Sequence, residues 1–376
     1  MTVMVGVNLL WLVPGAVGGS EQSTVAGLRA LRELAPPHLE LRLFVLEPFM
    51  AAHPEVVRGL PTVALPLSGR SRAVRVLGEA TWLAARTRGL DLVHHAGGTA
   101  PVRHRTPYVL TIHDLQPLER QATHGRGKRA YLRTVLPRAV RAARAVAVPS
   151  DFVRRSVLDR FDADPSRVVT IPHGVAAWSP HAATPADEVR MRYGLHGPVV
   201  LYPAITYPHK DHATLVEAFA SVRRRHPEAV LVLTGGEGAC ESDLARRVEK
   251  LGLRESVRRV GRISDADVAG LYSVASVVAV PSTYEGFGLP AAEAMAAGVA
   301  VVAARATALP EVVGDAGLLV DPGDVPAWAD AIDLLLADAR ERAVLVERGR
   351  DRVRRYSWRA NAEAFARLYQ AATTDP

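Results

Sequence analysis

The chain has 376 residues, of which 48% are apolar, so two domains of ordinary size with substantial cores can form and global disorder is excluded. Its single cysteine, Cys240, rules out an intrachain disulfide and indicates a reducing compartment. The formal net charge of +7 is unevenly spread: residues 1–175 contain 23 Lys and Arg against 13 Asp and Glu, a net of +10, whereas the remainder contains 23 against 26, a net of −3.

Residues 1–19 are apolar, but no Lys or Arg precedes the apolar run, so a buried strand is a better interpretation than a signal peptide. No apolar run reaches the ~18 residues that a membrane-spanning helix needs. We therefore expect a cytoplasmic protein. Between Arg120 and Arg144 there are eight basic residues and no acidic one. This segment favours an anionic partner, such as the inner face of the cell membrane or a phosphate-bearing acceptor, and a solvated Arg-rich face is the alternative.

Apolar runs of strand length alternate with amphipathic helical stretches, which is typical of parallel α/β domains. The predicted strands are Val3–Leu12, Leu41–Leu46, Leu90–His94, Tyr108–Ile112, Ala145–Val148, Val168–Ile171, Val199–Tyr202, Ala229–Thr234, Val257–Val260, Val277–Val280, Val299–Ala303 and Gly317–Val320. Helices are predicted over Ser23–Leu34, Asp211–Arg225 and Glu241–Leu251. The series predicts two Rossmann-like units with doubly wound parallel sheets.

The domain boundary is predicted in the loop 175–187, which contains two prolines and no periodicity. An N-terminal domain then covers residues 1–175 and a C-terminal domain covers residues 185–355. Residues 356–376 are predicted to form a final helix.

The most informative stretch is residues 281–298, Pro-Ser-Thr-Tyr-Glu-Gly-Phe-Gly-Leu-Pro-Ala-Ala-Glu-Ala-Met-Ala-Ala-Gly. Its glycines let the backbone approach a ligand, and the start of the helix predicted from Pro290 suits a phosphate. Glu285 lies in the loop and Glu293 is placed in the first helical turn, so one carboxylate can bind a sugar and the other a ribose. The alternative is a surface loop with two solvated acids. We interpret the stretch as a nucleotide-sugar site.

Further candidates lie where predicted strands end. His113 follows one such strand, at the usual ligand crevice of parallel sheets, although its neighbour Asp114 offers it a purely structural partner. Gly18 and Gly19, after the first strand, allow the chain to pass close to a diphosphate and an acceptor. Lys210 is placed at the start of a helix.

In combination these motifs resemble those of the family 4 glycosyltransferases, which are retaining enzymes with the GT-B fold. The stretch from Glu285 to Glu293 is similar to the E-x7-E motif of that family. Other matching pieces follow in order along almost the whole chain: Gly18-Gly19, His113-Asp114, Pro149-Ser150, Ile171-Pro-His-Gly174, Pro208-His-Lys210 and Leu309-Pro-Glu-Val-Val-Gly314. Their order and spacing are specific for the family but not for a substrate.

The resemblance implies two domains that face each other across a cleft, with the acceptor on the N-terminal domain and the donor on the C-terminal domain. It also implies that the final helix packs back on the first domain. In this family Lys210 is expected against the donor diphosphate, and His209 stands where an Arg is common. His113 is expected beside the reacting carbon of the sugar. Glu285 is expected to bind donor-sugar hydroxyls, and Glu293 the ribose hydroxyls.

Backbone groups complete the implied donor site. The N–H groups expected to bind the diphosphate belong to Gly286, Phe287, Gly288 and Leu289. Arg262 and Ile263 lie where related enzymes contact the base, largely through the backbone.

The implied activity is retaining transfer of a hexosyl unit from a nucleotide-diphosphate sugar to a hydroxyl of a glycan, a lipid-linked saccharide or a natural product. Similarity to bacterial mannosyltransferases favours GDP-mannose, while UDP-glucose, UDP-N-acetylglucosamine and deoxysugar donors stay open. We expect no metal ion or other cofactor beyond the donor, and no nucleic-acid partner. The alternatives are a related sugar-nucleotide epimerase and a non-enzymatic two-domain sugar-binding protein.

Overall fold

The computed structural model describes residues 2–16, 18–102, 105–119, 126–175 and 183–374. Contacts within the chain divide it into two compact units. Unit 1 comprises residues 1–174 together with 357–376, and unit 2 comprises residues 175–356. The last helix of the chain is therefore part of unit 1.

Each unit is built on one parallel sheet. The strands of unit 1 are β1 Val3–Asn8, β2 Leu39–Leu46, β3 Thr62–Leu65, β4 Leu92–His95, β5 Tyr108–Thr111, β6 Ala145–Val148 and β7 Val168–Thr170. Those of unit 2 are β8 Val199–Pro203, β9 Val230–Thr234, β10 Val257–Gly261, β11 Val277–Val280, β12 Ala300–Ala304 and β13 Leu318–Val320. The strand orders are β3-β2-β1-β4-β5-β6-β7 and β10-β9-β8-β11-β12-β13. These are the two Rossmann-like units that the sequence predicted.

Helices connect the strands on both faces of each sheet. In chain order they are α1 Gly19–Leu34, α2 Glu47–Ala52, α3 Pro54–Val57, α4 Arg72–Gly78, α5 Ala84–Arg86, α6 Gln116–Glu119, α7 Arg126–Ala142, α8 Asp151–Phe161, α9 Ala186–Tyr193, α10 His212–Arg225, α11 Glu241–Lys250, α12 Asp265–Val274, α13 Leu289–Ala296, α14 Leu309–Val313, α15 Val325–Ala337, α16 Ala339–Val353 and α17 Trp358–Thr374. A π-helical turn, Glu79–Leu83, joins α4 to α5, and a 3-10 turn, Pro208–Lys210, precedes α10. None of the helices in the described ranges combines the length and apolar character that crossing a membrane requires.

Apolar strands fill the space between the helical layers. In β1, Val5 and Val7 pack into a core that includes α1 and α17, whereas Met4 packs on the opposite side with Phe44. All four residues of β11 are buried, as expected for a central strand covered on both faces. The hydrophobic runs of the sequence are therefore strands because both of their faces are removed from water.

The sheets place one crevice in each unit. The order of connections reverses between β1 and β4 in unit 1, and between β8 and β11 in unit 2. Loops that leave the carboxyl ends of two such strands diverge, so ligands of open parallel sheets bind there. Each unit thus has its own position for a ligand, defined by topology alone.

Two predicted elements differ from the structure by four residues at one end, and one strand was not predicted. The first strand ends at Asn8 instead of Leu12, because the Asn8 side chain accepts a hydrogen bond from the Leu10 N–H (3.1 Å) and turns the chain. Helix α1 begins at Gly19, four residues before the predicted start. Strand β3, a short strand at the sheet edge, was missed because four residues after a proline give too little periodicity.

The basic segment 120–144 falls largely on α7, and residues 120–125 lie outside the described ranges. Leu132 and Leu136 of α7 are buried in the core, whereas Arg133, Arg138 and Arg141 are exposed. An exposed basic face of this kind fits both a solvated helix and contact with an anionic membrane. Membrane contact stays a prediction.

Candidate functional site

The candidate site of unit 2 lies at the carboxyl ends of β8 and β11. Lys210 follows β8 and Glu285 follows β11. Their side chains meet in a salt bridge, with Lys210 Nζ 2.6 Å from Glu285 Oε1. The Lys210 and Glu285 side chains are only 17% and 11% exposed. Two residues that are 75 positions apart in sequence thus share one polar contact at the crevice.

Lys210 lies just before a helix and not at its start, which corrects the prediction. It closes the 3-10 turn, and α10 begins at His212. The break is caused by Asp211, which adopts a left-handed conformation (φ 47°) and caps α10 by accepting a hydrogen bond from the Thr214 N–H (3.3 Å).

Hydrogen bonds join the loop that carries Lys210 to the loop that carries Glu285. The buried Tyr202 hydroxyl donates to the Lys210 carbonyl (2.9 Å) and lies 2.8 Å from the Ser282 hydroxyl. The Thr283 N–H donates to the His209 carbonyl (2.7 Å). Burial and the nearby Glu285 carboxylate raise the pKa of Tyr202, so its hydroxyl keeps its proton. These bonds give Lys210 and Glu285 a fixed separation.

Glu285 is also held from a third loop. Its backbone N–H donates to the Thr307 hydroxyl (2.9 Å), and Thr307 itself adopts a left-handed conformation with φ 52°. That conformation is unfavourable for a β-branched residue, and such strain is concentrated at functional sites. Sequence reasoning missed Thr307, because no pattern in the sequence marks a threonine for this conformation.

The loop after Glu285 turns directly into α13. Gly288 precedes the helix with φ 102°, Leu289 is its first residue and Pro290 its second. The Phe287 side chain is buried in the core of unit 2, where it packs edge-on against Tyr356. Phe287 therefore anchors the loop, and binding of a diphosphate by the N–H groups of residues 286–289 stays a prediction.

Glu293 is the fifth residue of α13, so it lies in the second turn and not in the first, where we predicted it. The difference arises because α13 starts at Leu289, one residue before the proline. Glu293 Oε2 accepts a hydrogen bond from the Tyr272 hydroxyl (2.9 Å). Burial raises the pKa of the Glu293 carboxyl.

Gly288→Ala is expected to destabilise the protein and to weaken nucleotide binding. A Cβ at this position would lie 2.7 Å from Cδ2 of the buried Leu309, in addition to the cost of about 1–2 kcal/mol for a left-handed alanine. Gly252→Ala is the matched control, because Gly252 also has positive φ (67°) but no atom within 4 Å of the added carbon. Thermal denaturation should show a larger decrease in Tm for Gly288→Ala than for Gly252→Ala. Equal decreases in Tm would contradict the packing argument.

A second set of side chains supports the glycine loop after β9. Glu241 accepts from the Thr206 hydroxyl (2.6 Å) and from Arg259 Nε (2.9 Å). Arg259 also donates to the carbonyls of Gly235 (2.8 Å) and Gly236 (3.1 Å). Sequence reasoning missed Glu241 and Arg259, because both look like ordinary surface charges in the sequence. Only the pairing of β9 with β10 brings Arg259 next to the glycine loop and Glu241.

The remaining unit 2 candidates lie in loops around this framework. His209 stacks on Tyr207, with ring centroids 5.9 Å apart. Arg262 is exposed and follows β10, with its guanidinium next to Gly236. Ile263 packs against the core of unit 2.

Unit 1 contains the other three candidates. Gly18 (φ 73°) is the residue before α1, and Gly19 is the first residue of that helix. His113 follows β5, and its Nε2 lies 3.0 Å from the Ala96 carbonyl, so the partner is not Asp114, the structural alternative considered from the sequence.

His113 is a neutral, partly buried imidazole. Burial lowers its pKa to about 4. Nε2–H donates to Ala96, so Nδ1 carries a lone pair, and this buried atom has no hydrogen-bond partner among the described residues. The centroid of the ring lies 5.8 Å from that of Trp11 and 5.8 Å from that of His173. His113 is therefore uncharged and can accept a hydrogen bond at Nδ1.

Comparison with known proteins identifies the family. The sequence model of Glycosyltransferase Family 4 matches residues 17–177, and that of Glycosyl transferases group 1 matches residues 192–352. The chain is 33% identical to the O-antigen chain mannosyltransferase B of Escherichia coli over an alignment of 276 positions that covers 71% of each chain. It is 31% identical to the D-inositol 3-phosphate glycosyltransferase of Salinispora arenicola over an alignment that covers 92% of this chain and 86% of the relative. Corynebacterial proteins of the same name are matched over 54 to 67% of their own length.

Solved structures show the same architecture. The crystal structure of HepE from Anabaena in complex with UDP-glucose superposes on this chain with a TM-score of 0.77 at 21% identity, covering 98% of this chain and 99% of HepE. A likeness at this identity shows the fold alone, which is GT-B. The chain therefore belongs to the group 1 glycosyltransferases of family 4.

Proposed function

We propose that this enzyme transfers a hexosyl unit from a nucleotide-diphosphate sugar to an acceptor hydroxyl and retains the anomeric configuration. The observation that carries the proposal is the salt bridge between Lys210 and Glu285 (2.6 Å) at the carboxyl ends of β8 and β11. A cation for the leaving diphosphate and an acceptor for sugar hydroxyls lie side by side there, next to the start of α13.

The proposed reaction takes place on one face of the sugar. The bond from the anomeric carbon to the phosphate oxygen breaks, and the acceptor oxygen bonds to the same face of that carbon. The acceptor proton passes to the departing phosphate oxygen. Lys210 stabilises the charge that develops on this phosphate, and the N–H groups at the start of α13 add to that effect. No divalent ion is part of the proposal, because Lys210 supplies the positive charge.

Other side chains orient the donor. Glu285 binds sugar hydroxyls, and Glu293, whose Oε2 accepts from the Tyr272 hydroxyl, also accepts from the ribose hydroxyls. Arg262 and Ile263 contact the base through the backbone. His113 accepts from a sugar hydroxyl beside the reacting carbon, a role that its neutral state at physiological pH supports.

GDP-mannose is the preferred donor. The similarity to a mannosyltransferase over 71% of the chain supports this choice, and a fold shared with a protein that binds UDP-glucose makes a UDP-sugar the main competitor. The relatives named above are transferases, which disfavours an epimerase and a sugar-binding protein. The identity of the donor is thus a choice between a GDP-sugar and a UDP-sugar, which a binding experiment resolves.

Thermal unfolding in the presence of GDP, UDP, dTDP and their sugars tests the donor. A ligand at about 100 times its Kd stabilises the folded state by about 2.7 kcal/mol. For a domain of 150–250 residues this corresponds to a rise in Tm of about 5–10 °C. We expect the largest rise with GDP and GDP-mannose; no rise with any nucleotide would contradict the proposed function. With the donor known, NMR of the product should show the donor's anomeric configuration, and EDTA should leave the rate unchanged.

A further inference from the structure

The side of the α4–α5 segment that faces solvent is apolar. Helix α4, the π-helical turn and α5 follow one another without a break over residues 72–86. Apart from Arg86, the exposed residues of this segment are Ala73, Val74, Leu77, Ala80, Thr81 and Ala85, which we call the apolar face. Val74 and Leu77 are 43% and 61% exposed. A surface helix normally presents charged and polar residues to water, so this face has the reverse composition.

The same segment is also apolar on the side that faces the core. Leu83 is buried there in a cluster with Leu10 and Phe44. On the solvent side the only hydroxyl belongs to Thr81, and it donates to the Leu77 carbonyl (2.7 Å), so it needs no bond to water. A helix that is apolar on opposite sides is normally covered on both. The apolar face therefore lacks the partner that its composition requires.

Arginines border the apolar face at both of its ends. Residues 66–90, which all lie in the described ranges, contain five arginines and a single acid. The acid is Glu79, which is only 6% exposed, so this segment presents no carboxylate to solvent. Arg70, Arg86 and Arg88 are exposed. The partner must therefore accept apolar side chains and positive charge together.

The basic face of α7 continues this surface. Arg72, the first residue of α4, stacks on the Tyr131 ring of α7 at 4.8 Å, so the two helices are neighbours at that end. Lys128 is exposed and precedes Tyr131 by three residues, which places both on the same side of α7. Unit 1 as a whole contains 25 Lys and Arg against 15 Asp and Glu, a net charge of +10. The positive charge of the chain is thus concentrated on the unit that carries the apolar face.

We propose that the apolar face of α4 and α5, with the arginines beside it, docks unit 1 on an anionic lipid bilayer. Val74 and Leu77 enter the boundary between headgroups and acyl chains, and the long arginine side chains extend to the anionic headgroups. A bilayer fits this surface better than a folded protein does, because the positive charge extends beyond the apolar face and a lipid surface is negative over its whole area. This docking goes beyond the proposed function and needs no substrate.

The first test is co-flotation of the purified protein with lipid vesicles. Vesicles of phosphatidylcholine alone are compared with vesicles of equal parts phosphatidylcholine and phosphatidylglycerol. We expect flotation with the anionic vesicles only, and its loss at high salt, which screens the arginines. Absence of flotation with the anionic vesicles, or equal flotation with both kinds, would overturn the inference. No nucleotide is present, so either result leaves the proposed function untouched.

Leu77→Ser tests the apolar part of the surface. Because Leu77 is largely exposed, the variant should keep the wild-type Tm to within a few degrees, while its affinity for the anionic vesicles falls by about tenfold. Leu334→Ser is the matched control. Leu334 is a 43% exposed leucine of α15 in unit 2, close in sequence to Asp330 and Asp333, and its substitution should not change flotation. Equal losses in the two variants would refute docking through the apolar face.

The double variant Arg70→Gln with Arg88→Gln tests the charged part. Each arginine near an anionic surface contributes about fivefold to binding, so the two losses should multiply. The control is Arg340→Gln with Arg355→Gln, which removes two exposed arginines of unit 2 and should leave vesicle affinity unchanged. An equal reduction in both double variants would show that only the net charge matters and would contradict a defined docking surface.

Light scattering tests whether a second copy of the chain covers the apolar face instead. We expect the wild-type protein and Leu77→Ser to have the same molar mass in the absence of lipid. A wild-type dimer that Leu77→Ser converts to a monomer would assign the apolar face to a protein interface and overturn the membrane proposal.

Discussion

Lys210→Ala is expected to lower the rate of sugar transfer by about 10²–10³-fold, the usual effect of removing one group that stabilises developing charge. It should also raise the Kd for the nucleoside diphosphate by about tenfold or more, because a charge-assisted hydrogen bond to phosphate is lost. Steady-state kinetics and calorimetric titration with the diphosphate measure the two effects separately. Lys250→Ala is the matched control, since Lys250 is an exposed lysine at the end of α11.

The fixed position of Lys210 is the reason to expect so large an effect. The Tyr202 hydroxyl donates a hydrogen bond to the Lys210 carbonyl, and the left-handed Asp211 follows Lys210 directly. The Lys210 ammonium therefore has little freedom to reorganise. Preorganised charges stabilise a transition state better than mobile ones do. Unchanged turnover and unchanged diphosphate affinity in Lys210→Ala would remove Lys210 from the site.

Glu285→Ala is expected to reduce transfer by about 10³-fold while diphosphate affinity stays equal or increases. In the free protein Glu285 holds Lys210 at 2.6 Å, so an incoming diphosphate must compete with this carboxylate. Removing Glu285 frees Lys210 for the phosphate but removes the group that orients the sugar. The same kinetic and titration experiments apply, with Glu249→Ala as the control because Glu249 is an exposed acid paired with Arg254.

The two variants therefore differ in the sign of their effect on binding. Lys210→Ala weakens the diphosphate complex and Glu285→Ala does not. If both variants lost diphosphate affinity to the same extent, Glu285 would be acting on the nucleotide and its assignment to the sugar would be wrong. The double variant should show non-additive rate losses, because the residues share one interaction.

Much of the fold was predictable from the sequence, because parallel strands that are buried on both faces appear as continuous apolar runs. The strands Ala145–Val148 and Val277–Val280 were predicted with their observed bounds. The longer run Val3–Leu12 was misjudged, since the turn after Asn8 depends on a side-chain hydrogen bond and not on hydrophobicity.

The candidate site was predictable only as separate pieces. Glycines, a proline and two acids marked the loop before α13 and the first two turns of that helix. Nothing in the sequence indicated that Lys210 and Glu285 are in contact. That contact depends on β8 and β11 being neighbours, a pairing between segments about 75 residues apart. The supporting hydrogen bonds of Tyr202 and Thr307 were unpredictable for the same reason.

The most direct test is a crystal structure of the enzyme with its nucleotide sugar bound. The proposed function predicts a diphosphate oxygen within hydrogen-bond distance of Lys210 Nζ and of the N–H groups that start α13, with a sugar hydroxyl on Glu285. A structure in which the donor binds elsewhere, and in which Lys210 and Glu285 remain 2.6 Å apart, would contradict it.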